Sequence, residues 1–228
     1  MKKHIPNAIT CCNLISGCVA TVYALYLRFD IALYAIIVGA VFDFFDGMTA
    51  RLLHVSSPIG KELDSLADVV TFGVAPSAML FGYLTIADHS YLSFAAFLMA
   101  AFSALRLAKF NLDERQAMGF IGLPTPANAL FWGSLVVTLA YHSIFISTMV
   151  PILLVTMLLS CYLLVSEIPM FALKFKTWGW KGNEVRWTFI GSCVPLLVFL
   201  GITGIAVIIA WYVILSAIVS QMPTRTEQ

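Results

Sequence analysis

The sequence predicts an all-α integral membrane protein, a polytopic bundle of about eight transmembrane helices with a polar cavity facing the cytoplasm. Three observations predict it. Hydrophobic residues make up 61% of the 228 and charged residues only 11%, whereas a soluble domain averages about a quarter charged. The mean hydropathy is +0.93, and apolar runs of roughly the 20 residues needed to cross hydrocarbon recur along the chain. Several carboxylates nevertheless lie inside or against those runs, where an unpaired charge is costly.

Length and composition fit one membrane domain over 1–228, with a core over about 1–145 and additional helices over about 146–221. The first span is expected from Ile5 to Leu27. Its basic start suggests a signal peptide, but the apolar stretch is too long for that and reads as a retained helix. The second span runs from Ile31 to Leu53, and the third from Gly60 to Ile86 with a kink at Pro76. The fourth covers Tyr91 to Phe110. A polar stretch leads to a fifth near Ala127 to Phe145 and a sixth from Ser147 to Val165. A basic segment, Glu167 to Arg186, precedes the last pair, Trp187 to Leu200 and Gly204 to Ser220, parted only by G-I-T-G.

Alternate connections carry Lys2, Lys3, Arg51, Lys61, Arg106, Lys109, Arg115, Lys174, Lys176, Lys181, Arg186 and Arg225. The opposite connections hold Arg28 with Asp30, Asp88 and His89. The positive-inside rule therefore puts both termini in the cytoplasm. Net charge of +1 gives no footprint for a nucleic acid. The five cysteines lie in apolar runs without metal-ligand spacing and read as small core residues. Trp178, Trp180 and Trp187 read as an interfacial belt, and small residues such as Gly17 and Gly39 as helix-packing positions that could include a homodimer contact.

The stretch from Asp43 to Asp68 organises the rest. Asp43 and Asp46 are three apart on one helix, Asp64 and Asp68 four apart on the next, so an antiparallel pair joined through His54 to Ile59 can bring the acids together. All-oxygen ligands suit a hard divalent cation, Mg²⁺ or Mn²⁺, and two ions are expected. Gly47 and Ala50 leave room against the helix, and Arg51 can grip a phosphate with its guanidinium fork. Asp43 would lie about 12 Å deeper than Arg51 at 1.5 Å per residue, below the headgroups of the inner leaflet. A cavity there can admit a lipid sideways and a soluble reactant from water.

This segment resembles the CDP-alcohol phosphatidyltransferases, whose pattern D-x2-D-G-x2-A-R-x8-G-x3-D-x3-D it meets at Asp43, Asp46, Gly47, Ala50, Arg51, Gly60, Asp64 and Asp68. All four acids, Asp43, Asp46, Asp64 and Asp68, are metal candidates; the resemblance implies that the first three carry metals and that Asp68 accepts the proton of the attacking alcohol. The residues alone do not separate Asp68 from Asp64 in that role. It also implies that Gly47, Arg51 and Ser57 lie near the CDP part of CDP-diacylglycerol, and an N-terminal Pro-Asn makes Asn7, with Thr10 one turn on, a further candidate for that nucleotide.

Three more segments resemble the members that use L-serine as acceptor: P-N-A-I-T-C-C-N-L-I-S-G, Pro6 to Gly17, A-L-R-L-A-K-F-N, Ala104 to Asn111, and F-I-G-L-P-T-P, Phe120 to Pro126. The expected reaction gives phosphatidylserine and CMP. Arg106 and Lys109, three apart on one helix, are candidates to hold the acceptor's carboxylate. Inositol phosphate or glycerol phosphate would also want cations here, and a CDP-dialkylglycerol could replace the diacyl donor. An aromatic prenyltransferase also gathers membrane aspartates, but gives no reason for the G-x2-A-R turn. A cation or proton transporter should carry polar residues through the later spans, and V-P-I-L-L-V-T-M-L-L-S does not.

Overall fold

A computed structural model describes residues 4–55, 57–88, 91–112, 120–144, 148–171, 179–180 and 183–221. Its architecture is helical throughout the spans. Helices α1 (His4–Leu25) and α2 (Phe29–Leu52) form an antiparallel hairpin. A long rod follows, built from α3 (Pro58–Asp68), a π-helical turn (Val69–Val74) and α4 (Ala75–Asp88). A 3₁₀ segment, Tyr91–Phe97, runs into α5 (Leu98–Leu112). Helices α6 (Thr125–Tyr141), α7 (Met149–Val165), α8 (Glu184–Leu200) and α9 (Ile202–Gln221) complete the bundle.

Among the described residues five rods are long and apolar enough to cross a membrane: His4–Leu25, Phe29–Leu52, Pro58–Ala87, Tyr91–Leu112 and Ile202–Ser220. Helices α6, α7 and α8 have 17 residues each, about 25 Å at 1.5 Å per residue, just short of a full crossing on their own. The eight expected spans thus correspond to eight helical rods, with shifted ends. The fifth ends at Tyr141, short of Phe145, because His142 caps it. Gly201, at φ +55°, closes α8 and lets α9 begin at Ile202.

Around Pro76 the rod departs from α-helical geometry. The irregularity lies just before it, in the π-helical turn, where the Ala75 N–H reaches back to the Val70 carbonyl. Proline has no N–H to give the carbonyl four residues earlier, and a wider turn absorbs the mismatch. The Ser77 hydroxyl donates to Gly73 O at 2.7 Å and supplies a bond in the same turn. The start of the fourth span is also unlike a plain α-helix, being 3₁₀ over Tyr91–Phe97.

One departure from all-α structure is a two-residue ladder, β1 (Phe120–Ile121) against β2 (Pro169–Met170). It ties the α5–α6 connection to the α7–α8 connection. At this same end Lys61 Nζ donates to Asn111 O at 2.9 Å and Asn111 Nδ2 to Ser65 Oγ at 2.8 Å. The α2–α3 turn and the α5 terminus are therefore neighbours, and Arg51, Lys61 and Lys109 gather there. The other end is pinned by Tyr83, whose hydroxyl donates to Ile144 O, and by the Thr138–Thr203 hydroxyl pair at 3.0 Å. Lys2, Lys3, Arg115, Lys174, Lys176, Trp178, Lys181 and Arg225 lie outside the described residues. Trp180 is exposed and Trp187 half-buried.

The core between these ends is apolar. Leu33 and Ile36 of α2, Phe72 of the π-turn, Met79 and Tyr83 of α4, and Trp132 of α6 are fully enclosed. The rod α3–α4 is the most buried of the candidate spans. It is the central post against which the first hairpin and α5 set their polar residues.

Candidate active site

Two close approaches place the acids. A Cβ on Gly17 would stand 2.3 Å from Thr71 Oγ1, and one on Gly39 2.5 Å from Thr71 Cγ2. Two glycines thus let α1 and α2 close on one threonine of the π-turn. The contact fixes the hairpin against the rod a turn below the acids. The α2–α3 connection is shorter than the expected His54 to Ile59, since α3 begins at Pro58. Ser57 caps it, its Oγ accepting the Gly60 N–H at 3.0 Å, and proline at the first helical position suits the start.

On this frame Asp43 of α2 and Asp64 and Asp68 of α3 each bring a carboxylate oxygen within 4.8 Å of the others. Asp46 is not part of that trio. It turns toward α1, where the Thr10 hydroxyl donates to its Oδ2 at 2.7 Å. Asn13 Nδ2 donates to Asp68 Oδ1 at 3.2 Å. Among the described residues no base forms an ion pair with any of the four acids. Like charges this close repel strongly away from bulk water. The trio therefore calls for a cation or for protons. Asp64 Oδ1 is buried without a hydrogen-bond partner, and an all-carboxylate set suits a hard divalent ion. The residues present fit Mg²⁺ or Mn²⁺.

A cleft of about 260 Å³ opens beside the acids, lined by Asn7, Thr10, Asp46, Gly47, Ala50, Ser57, Lys61 and Asp64 among others. Asn7 stands at the foot of α3, its Oδ1 3.1 Å from where a Gly60 Cβ would sit. Gly47 and Ala50 form its floor on α2. Arg51 lies at the rim, exposed, with its Nε donating to Gly47 O at 2.9 Å, so the guanidinium folds back along α2. Lys61 was singled out from sequence only as a charge marking the cytoplasmic side; the structure makes it part of the wall.

The expected cation pair separates. Arg106 is buried at 7% exposure, with its Nε unpartnered, its guanidinium carbon 5.1 Å from the Phe110 ring centroid and Asp68 within electrostatic reach. Lys109 is exposed. Residues three apart on an α-helix diverge by about 60°, enough here to turn one toward the rod and the other outward.

Sequence reasoning left Asn13 and Thr71 without roles. The signal was present: Pro6, Thr10, Asn13, Gly17, Ala20 and Ala24 recur at four- and three-residue steps and form the buried stripe of α1.

The profile of the family described as CDP-alcohol phosphatidyltransferase matches residues 3–166. The chain is 40% identical over 168 residues to the CDP-diacylglycerol–serine O-phosphatidyltransferase of Bacillus subtilis, covering 73% of this chain and 89% of that protein. It is 36% identical over 127 residues to the enzyme of that name from Helicobacter pylori J99, covering 55% of this chain and 54% of the relative. Against the one from Saccharomyces cerevisiae it is 39% identical over 158 residues, 60% and 54% of the two chains. The chain thus spans most of the Bacillus relative but about half the length of the other two. The match covers α1 to α7 and with them every acid of the site: the chain belongs to the CDP-alcohol phosphatidyltransferase family.

Proposed function

We propose that this protein transfers the phosphatidyl group of CDP-diacylglycerol to the hydroxyl of L-serine, giving phosphatidylserine and CMP. The observation that carries the reading is the Asp43–Asp64–Asp68 trio, which meets a cleft of about 260 Å³ through Asp64. The names of the relatives support the donor and acceptor. The gathering of Arg51, Lys61 and Lys109 at one end of the bundle supports a cytoplasmic opening.

Divalent ions held by Asp43, Asp46, Asp64 and Asp68 would neutralise the diphosphate and the charge growing on the departing phosphate. The chain supplies the rest. Asn7, Gly47, Ala50 and Ser57 shape the nucleotide's place, and Arg51 swings from Gly47 O to a phosphate oxygen. Asp68 takes the proton of the serine hydroxyl. The serine oxygen then bonds to the phosphatidyl phosphorus, and the bridging P–O bond breaks with its electrons leaving on CMP.

Arg106 would hold the serine carboxylate. It is the buried basic side chain among the described residues, and one enclosed cation balances a monoanionic carboxylate better than the larger charge of a phosphomonoester. That favours serine over inositol phosphate or glycerol phosphate. The test is CMP release from CDP-diacylglycerol by purified protein with the three acceptors offered separately. Release with serine alone is the expected result, and release only with a phosphorylated alcohol overturns the assignment.

A further inference from the structure

Asn13 has no exposed surface and is not among the residues lining the cleft. Its Nδ2 donates to Asp68 Oδ1, while its Oδ1 has no partner and rests 3.0 Å from the position of a Gly39 Cβ. An enclosed amide with an idle acceptor costs free energy that an apolar side chain of the same size would avoid. Packing alone therefore gives no reason for asparagine here. The amide's orientation follows from chemistry, since reversing it would set its oxygen against the carboxylate. The backbone at Asn13 is also tied down: its carbonyl accepts the Thr71 hydroxyl at 3.0 Å. Thr71 is three residues beyond Asp68 on the same rod. Side chain and main chain of one residue thus bracket Asp68 from α1.

We propose that Asn13 is a positioning residue for the proton-accepting carboxylate. By holding Asp68 Oδ1 it leaves Oδ2 as the oxygen that meets the acceptor hydroxyl. The alcohol's O–H bond breaks toward Oδ2 as its oxygen bonds to phosphorus, and CMP leaves with the electrons of the broken P–O bond. This rests on the reading of Asp68 as the base. Asn13 itself touches neither substrate, so its effect is on turnover and not on donor binding.

The experiment compares Asn13→Leu, Asn13→Asp and Asp68→Asn in the full-length purified protein. It measures kcat for CMP release at saturating serine, KM for CDP-diacylglycerol and the thermal unfolding temperature. Asn13→Leu keeps the volume and removes the donor; Asn13→Asp keeps the shape and exchanges the neutral amide donor for a further acid facing Asp68. Both are expected to lower kcat at least tenfold, with the donor KM within twofold and the unfolding temperature unchanged. A kcat within twofold of wild type in either variant overturns the proposal. So does a loss of kcat matched in both variants by a lowered unfolding temperature, which would make Asn13 a packing residue. Normal kcat in Asp68→Asn would remove the base assignment beneath it, whereas an inactive Asp68→Asn beside normal Asn13 variants would sink this inference alone.

Discussion

Thr10 and Asp46 meet across the seam between α1 and α2, the threonine hydroxyl donating to Asp46 Oδ2 at 2.7 Å while lying 3.1 Å from Pro6 O. With one proton to give, the hydroxyl favours the carboxylate, whose charge makes the stronger bond. Both residues are buried. The bond explains why Asp46 stands apart from the other three acids: α1 has turned it. A hydrogen bond to a charged group contributes about 1.5–3 kcal/mol. Thr10→Val should therefore lower kcat/KM roughly ten- to hundredfold, and Thr10→Ser should restore most of it. Steady-state CMP release from the two variants checks this.

Carboxylates as close as Asp43, Asp64 and Asp68 need a positive partner to work together. Chelation should abolish transfer, and Mg²⁺ or Mn²⁺ should restore it. Asp64→Asn removes a ligand whose Oδ1 is otherwise unpartnered and should weaken Mn²⁺ binding at least tenfold, read by spin-resonance titration. Unchanged Mn²⁺ affinity would place the ion elsewhere.

The unpartnered Arg106 Nε predicts a specific defect. Arg106→Lys keeps the charge but loses the planar fork. The KM for serine should rise roughly tenfold or more, with the donor KM little changed. Lys109→Ala, altering an exposed side chain, should have the smaller effect. Initial rates over a range of serine concentrations distinguish the two.

Gly17 has no room for a methyl group. Gly17→Ala would place a Cβ 2.3 Å from Thr71 Oγ1 and 2.7 Å from Thr71 Cα, and a backbone atom cannot rotate away. Overpacking of this kind costs about 1–3 kcal/mol. At this chain length each kcal/mol lowers the unfolding temperature by about 2–4 °C. Thermal unfolding in detergent measures it. Activity should fall as well, because the same contact sets α1 against the acids.

The helices and the acid-bearing pair were legible because each signal is local. Hydropathy marks a span by itself, and Asp43 to Asp68 show their geometry in their spacing. What stayed hidden depends on partners far apart in the chain. Asn13 meets Asp68 across 55 residues and Thr10 meets Asp46 across 36; α1 advertises only the buried stripe that makes such meetings possible. Arg106 and Lys109 show the opposite failure. Their spacing suggested a shared task, but a 60° divergence is enough to send one into the protein and the other out when the interface is narrow. The π-turn beside Pro76 stayed hidden because sequence announces the missing N–H and not how the backbone absorbs it.

That turn has a consequence for the whole rod. Six residues, Val69–Val74, fill a stretch that an α-helix would traverse with a different phase. Winding all six as α-helix would tighten the ladder to ordinary i→i+4 bonds. It would also swing everything before it by about 100° about the axis, carrying Asp64 and Asp68 away from the α1–α2 hairpin while α4 kept its seat. The chain would retain all of its acids and its hydrophobic centre and yet turn Asp64 and Asp68 more than a quarter of a circle away from Asp43 and Asp46.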